Sequence, residues 1–209
     1  MSRPVLVSIQ VGRPRQLEGW STGIFKEPIA GPVWLGRTGL DGDGQADPLA
    51  HGGPEKAVLG YAAGHYPHWR AELGIAGFDH GAFGENFTIA GLDEATVAIG
   101  DIYGVGQAVV QVSQPRQPCW KLARRWGQAD LPARVVKTGR SGWYYRVLQE
   151  GLVEPGFTLA LLERPFPQWT VARFNKVLYD PQRDPKVVED LAACPLLPGG
   201  WRDYLLARR

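Results

Sequence analysis

Hydrophobic and polar positions along the chain predict a body of short strands followed by a cluster of short helices. At the N-terminus Val5, Val7, Ile9 and Val11 recur at every second position, the signature of a half-buried strand. From Gly23 to Gly53 short apolar runs alternate with Gly, Pro and Asp, which predicts strands separated by irregular loops. Lys56–Tyr61 (KAVLGY) reads as a short buried strand. The stretch from His65 (HYPHWRAELG) reads as a helix, with proline in its first turn and Gly74 as its stop. GENFTIAG is strand-like. Ile102–Val105 and Ala108–Val112 form a hairpin around a turn at Gly104 to Gln107. CWKLARRWG predicts a helix with Pro118 at its first position and Gly127 past its end, and LPARVVKTGRSG predicts another. GWYYRVLQEG and FTLALLERP read as strands.

The pattern changes after Arg164. PFPQ is a linker, and three helical stretches follow. TVARFNKVLYD opens on Thr170 as N-cap, DPKVVEDLAAC opens on Asp184 with Pro185 at the first helical position, and PGGWRDYLLARR runs to the end. Val171, Phe174 and Leu178 share one apolar face, and Trp201, Leu205 and Leu206 another. The expected division is residues 1–164 for a mainly β domain and 165–209 for a three-helix domain packed on it.

Composition narrows the function classes. The 27 Gly and 17 Pro suit a turn-rich β body. A formal charge of +2 gives no global field for nucleic acid or membrane, so a basic site must be local. Two Cys are too few for a disulfide framework. The N-terminus lacks the apolar block of a signal peptide and no run is long enough to span a bilayer, so a cytoplasmic protein is expected. GxGxxG and an aromatic RNA-binding set are absent from the sequence.

Candidate chemistry centres on QPRQPCWKLARR, Gln114 to Arg125. In the first turn of a helix, beside Arg116 and Lys121, the Cys119 thiol meets the conditions that favour a thiolate. Cys119, Leu122, Ala123 and Trp126 also recur at i, i+3, i+4 and i+7, the spacing of a buried stripe, so spacing leaves a core cysteine equally open. Cys194 has no such setting and reads as structural. HGGPEKAV offers His51, two glycines that permit close backbone approach (Gly52 and Gly53), and Lys56; a tight turn with a surface histidine is the simpler reading. FGEN places Asn86 after an acid. Arg140, in GRSGW, reads either as a surface residue or, with Arg116, as a phosphate clamp. His51, His65 and His68 could in principle form a three-histidine metal site, a reading that would make the protein a metal-dependent hydrolase.

In order along the chain, GLDGDGQADPLAHGGPEKAV, HYPHW, FGENFT, VSQPRQPCWKL, GRSGWYYRV and LLERP resemble the MOSC domain family, and within it the YiiM-like proteins; the last helices resemble the small three-helix domain of that subfamily. The resemblance implies a β-barrel-like MOSC domain that binds molybdenum cofactor, with Cys119 as metal ligand and catalytic residue. It also implies that His51, Gly52, Gly53, Asn86 and Arg116 line the site, and that Lys26, Lys56 and Arg140 are candidates for the cofactor's phosphate. The activity implied is reduction of N-hydroxylated substrates, such as N-hydroxylaminopurine-type bases, to amines with electrons from separate partner proteins. The alternative is a carrier of molybdenum cofactor or of sulfur, with Cys119 holding a persulfide without turnover. Neither reading involves nucleic acid or membrane, and neither fixes the oligomeric state.

Overall fold

The computed structural model describes residues 3–207. In chain order, β1 (Val5–Val11) precedes a small hairpin of β2 (Arg15–Leu17) and β3 (Trp20–Thr22). Short strands β4 (Glu27–Pro28), β5 (Val33–Gly36) and β6 (Gly39–Leu40) follow. Next come helix α1 (Pro48–His51), a single 3₁₀ turn at Pro54–Lys56, strand β7 (Val58–Ala62) and helix α2 (Tyr66–Leu73). Strands β8 (Phe87–Ala90), β9 (Ile102–Val105) and β10 (Ala108–Pro115) lead into helices α3 (Trp120–Trp126) and α4 (Leu131–Thr138). Strands β11 (Trp143–Gln149), β12 (Gly151–Val153) and β13 (Leu159–Glu163) complete the body, and α5 (Val171–Tyr179), α6 (Pro185–Ala192) and α7 (Gly199–Leu206) end the chain.

Eight strands form one sheet in the order β13-β9-β10-β11-β7-β8-β1-β4, antiparallel except for β7 beside β8. The sheet curls until β13 reaches β1: Leu6 N–H donates to Phe157 O (2.8 Å), and Leu159 N–H donates to Pro4 O (2.9 Å). Closure of this kind satisfies sheet edges that would otherwise be exposed. The body is therefore mainly β with a curled, barrel-like sheet, and a three-helix unit follows it, as expected.

The sequence signals explain most boundaries. Gly74, Gly127 and Gly139 each end a helix in the left-handed region, where a side chain would be strained. Thr170 and Asp184 accept from Arg173 N and Lys186 N as N-caps. Two expectations need correction. The hairpin turn is only Gly106–Gln107, since Gly104 pairs with Val109 inside the ladder. Pro118 is not the first helical residue: Cys119 is the N-cap of α3, in extended conformation, and Trp120 opens the helix. The ring of Pro118 fixes the approach to the cap rather than the first turn.

A continuous core runs from Leu6, Ile9 and Phe87 through Val110, Trp143 and Tyr145 to Phe174, Leu191 and Trp201. The barrel and the final helices thus share one interior. A second cluster, with Tyr61, Tyr66, Trp69, Phe83 and Leu122, underlies α2 and α3.

Candidate functional site

Strand alternation sets the site's walls. Along β11, Trp143, Tyr145 and Val147 point into the core, so Tyr144 and Arg146 face the other way. Arg116 leaves the end of β10, and Cys119 follows three residues later at the start of α3. Across from them, Asp47 caps α1 by accepting from Ala50 N (3.0 Å), and this short helix delivers His51 at its last position. Gly52 and Gly53 join α1 to the 3₁₀ turn that carries Lys56. Gly53 has φ +85°, and a Cβ on Gly52 would lie 3.0 Å from Pro48 O. The two glycines set the loop's path and do not themselves line the cleft.

The result is a cleft of about 630 Å³, its open mouth included, lined among others by Lys26, His51, Lys56, Asn86, Arg116 and Cys119. None of its lining residues is a carboxylate. Its wall is narrow where Gly23 passes Gly44: a Cβ on Gly23 would lie 2.4 Å from Gly44 O.

Cys119 is half-buried and unpaired with any other cysteine. Burial pushes its thiol up, but a hydrogen bond with His51, the Arg116 charge and the Lys121 backbone N–H outweigh burial and bring it down to about 7. Its neighbour on the stripe, Leu122, is fully buried, so the helix resolves the two readings of the spacing. The apolar face begins at Leu122, and Cys119 stands above it at the cleft.

Arg116 is 4% exposed. One of its nitrogens, Nη2, makes a long contact to Phe83 O (3.5 Å), while Nη1 is buried with no hydrogen-bond partner. An unsatisfied buried guanidinium N–H is costly, and an anion in the cleft would satisfy it. Lys56 donates to Ala50 O (2.6 Å), and burial lowers its pKa against the opposing charge of Asp47.

Lys26 and Asn86 serve the wall. Lys26 pairs with Asp43 in a buried ion pair, and burial lowers the Lys26 pKa despite Asp43. The Asn86 amide is fully committed: Nδ2 donates to Asp43 Oδ2 (2.8 Å) and Gln10 O (3.2 Å), and Oδ1 accepts from Leu59 N (3.1 Å). Asp43 also accepts from Gly12 N (2.9 Å). Glu85 is fully buried and ties the FGEN turn by accepting from Tyr66, Gly81 N, Phe83 N and Thr88.

Arg140 lies elsewhere. It pairs with Glu72 (2.7 Å), covers the Trp69 ring (4.9 Å) and lines a separate groove between α4 and α5. The three histidines are not brought together. His65 bonds Glu94 (2.6 Å) in that same groove, His68 is exposed, and among the described residues no group of three metal-ligating side chains forms. Asp43 and Tyr144 were not singled out from the sequence. The one available signal for Asp43 was an acid set between glycines in GLDGDG; Tyr144 had only strand alternation.

Residues 47–160 match the MOSC domain. The chain belongs to that family. Residues 169–209 match the YiiM-like 3-alpha helix domain, which places it among the YiiM-type members. It is 42% identical over 208 residues to YflK of Bacillus subtilis, covering 98% of this chain and 94% of that protein. The crystal structure of YiiM from Geobacillus stearothermophilus superposes with a TM-score of 0.85 at 41% identity, covering 98% of both chains. A Gibberella moniliformis protein named reductase is 42% identical over 180 residues; the match spans 83% of this chain but only 32% of that longer protein.

Proposed function

We propose that this protein is a molybdenum cofactor-dependent reductase that converts N-hydroxylated compounds, including N-hydroxylated purine-type bases, to amines. The observation that carries the proposal is the meeting, in a carboxylate-free cleft, of a thiol brought down to about 7 with a buried guanidinium nitrogen that lacks a partner.

The donor set fits such a group. Cys119 offers a thiolate, a soft ligand suited to molybdenum. Arg116 and Lys56 offer positive charge for the pterin phosphate, as fork and point charge respectively. When bound, the molybdenum centre would supply the two-electron redox capacity that the protein's own side chains lack. The chain's part is to hold and orient. His51 favours the ionised form of the Cys119 sulfur by hydrogen bonding to it at the edge of the cleft. Gly52 and Gly53 place His51 and Lys56. Asn86 and the Lys26–Asp43 pair brace the opposite wall. The net reaction, R–NHOH plus two electrons and two protons to R–NH₂ plus water, needs an external donor, which separate electron-transfer proteins supply. The fungal relative named reductase, in which the matched stretch is a third of the length, supports a reductive role. Among the described residues no helix is long and apolar enough to cross a membrane.

The test is molybdenum and pterin analysis of protein made in a host that synthesises the cofactor, with reduction of an N-hydroxylated base assayed alongside. Stoichiometric molybdenum and turnover that vanish in Cys119→Ser are expected. A labile extra sulfur on Cys119 without molybdenum would instead favour the carrier reading.

A further inference from the structure

A second chamber opens on the other side of Cys119. It reaches from the cleft to α7 and adds Gln114 and Trp201 to its walls. Five residues line both spaces: His51, Lys56, Gln117, Cys119 and Tyr144. Four of them are already engaged. His51 bonds the Cys119 thiol, Lys56 donates to Ala50 O, and Gln117 Nε2 donates to the Tyr204 hydroxyl (3.3 Å). Gln114 is also spent, donating to Glu55 O (3.1 Å) and accepting from Trp201 Nε1 (2.7 Å). Among the described residues the Tyr144 hydroxyl has no hydrogen-bond partner, although its neighbours on β11 are locked into the core.

We infer that the second chamber receives the N-hydroxylated substrate and that Tyr144 is a catalytic residue which donates a proton to the departing hydroxyl oxygen. The inference rests on the reductase reading above. As the N–O bond breaks, the two electrons come from the external electron-transfer protein. The oxygen leaves as water, carrying one proton from Tyr144 and keeping its own. The amine nitrogen takes the second proton from solvent, and solvent reprotonates the tyrosinate. Hydroxide is a stronger base than tyrosinate, so the transfer runs downhill. Burial, with the Cys119 charge adding to it against Arg116, raises the Tyr144 pKa and keeps the phenol protonated at neutral pH.

The experiment compares wild type with Tyr144→Phe, both loaded with cofactor. The expected result is equal molybdenum per chain, equal melting temperature, a kcat lower by roughly 100-fold and a smaller change in KM. A ring-fluorinated tyrosine at position 144, a more acidic phenol, should move the alkaline limb of kcat to lower pH. In full-length protein made without cofactor, the pH midpoint of Cys119 alkylation should be the same with Tyr144 or Phe at this position. Unchanged kcat in Tyr144→Phe, an unmoved pH profile with the fluorinated residue, or a shifted thiol midpoint each overturns the assignment; the last would mean that the hydroxyl serves the thiol. Loaded wild type with no reductase activity would sink the function itself and this assignment with it, and is told apart from the other failures by the inactive wild type.

Discussion

The acidity of Cys119 depends on three separate segments: the end of α1 supplies His51, the end of β10 supplies Arg116, and the start of α3 supplies the Lys121 N–H. Burial opposes all three. In cofactor-free protein, the rate of Cys119 alkylation should therefore rise with pH around a midpoint near 7. In His51→Ala the midpoint should climb toward the usual thiol value of about 8.5. A variant midpoint still near 7 would remove His51 from the account. The same shift has a stability consequence. A thiol held below its unfolded value contributes stability that is fully present above that unfolded value, and loses it as pH falls through the folded value. Unfolding measured across pH should show this contribution growing from about 7 to about 9, and the growth should vanish in Cys119→Ser.

At the scale of elements, the cleft's far wall is a seam where β1, β7, β8 and the Asp43 loop meet on one amide. Asn86→Ala would leave Leu59 N–H, Gln10 O and one Asp43 oxygen unsatisfied while all are enclosed. A loss of about 3 kcal/mol in urea unfolding is expected, with little change in the slope. A loss below about 1 kcal/mol would mean that solvent reaches the seam and satisfies those groups. This wall was the part of the site least legible in the sequence. The strands with period-two alternation and the helices with a capping residue and a stopping glycine were legible because their signals are local. The β2–β3 hairpin lies in a stretch with no clear period, and helix α1 lies within the Gly23–Gly53 stretch that reads as strands separated by irregular loops. The helix had a usable signal, Asp47 followed by Pro48, but its four residues are too few to show a periodicity. Strands β4, β5 and β6 are two to four residues long and exist through distant partners such as β12 and β1. The site was legible where residues cluster in sequence, as in QPRQPC. The commitment of Asn86 to wall bonds, the pairing of Arg140 with Glu72 and the freedom of Tyr144 depend on residues far apart in the chain, and no spacing encodes them.

For the whole molecule, the question is whether the final helices are an accessory or part of one folding unit. The interior argues for one unit. Phe174 and Trp201 pack edge to face (4.9 Å) inside the same cluster as Trp143 and Tyr145. Trp201 Nε1 donates to Gln114 on β10, and Arg146 on β11 reaches Leu196 O (2.8 Å). Ile99 N–H and Val171 N–H exchange bonds with Trp169 O and Val97 O across the junction (2.9 and 2.8 Å). Such a seam is too apolar and too well bonded for the parts to separate without exposing core on both sides. Urea unfolding followed by far-ultraviolet circular dichroism and by tryptophan fluorescence should therefore give coincident midpoints. Trp201 is only 8% exposed, so Trp201→Ala should cost about 3–5 kcal/mol and move both midpoints together. Two resolved transitions, or a Trp201→Ala variant in which the helical signal alone moves, would show that the helices fold apart from the barrel. Because Trp201 also walls the chamber behind Cys119, a single transition would tie the fold's last element to the geometry of the site: α7 could not loosen without opening that chamber.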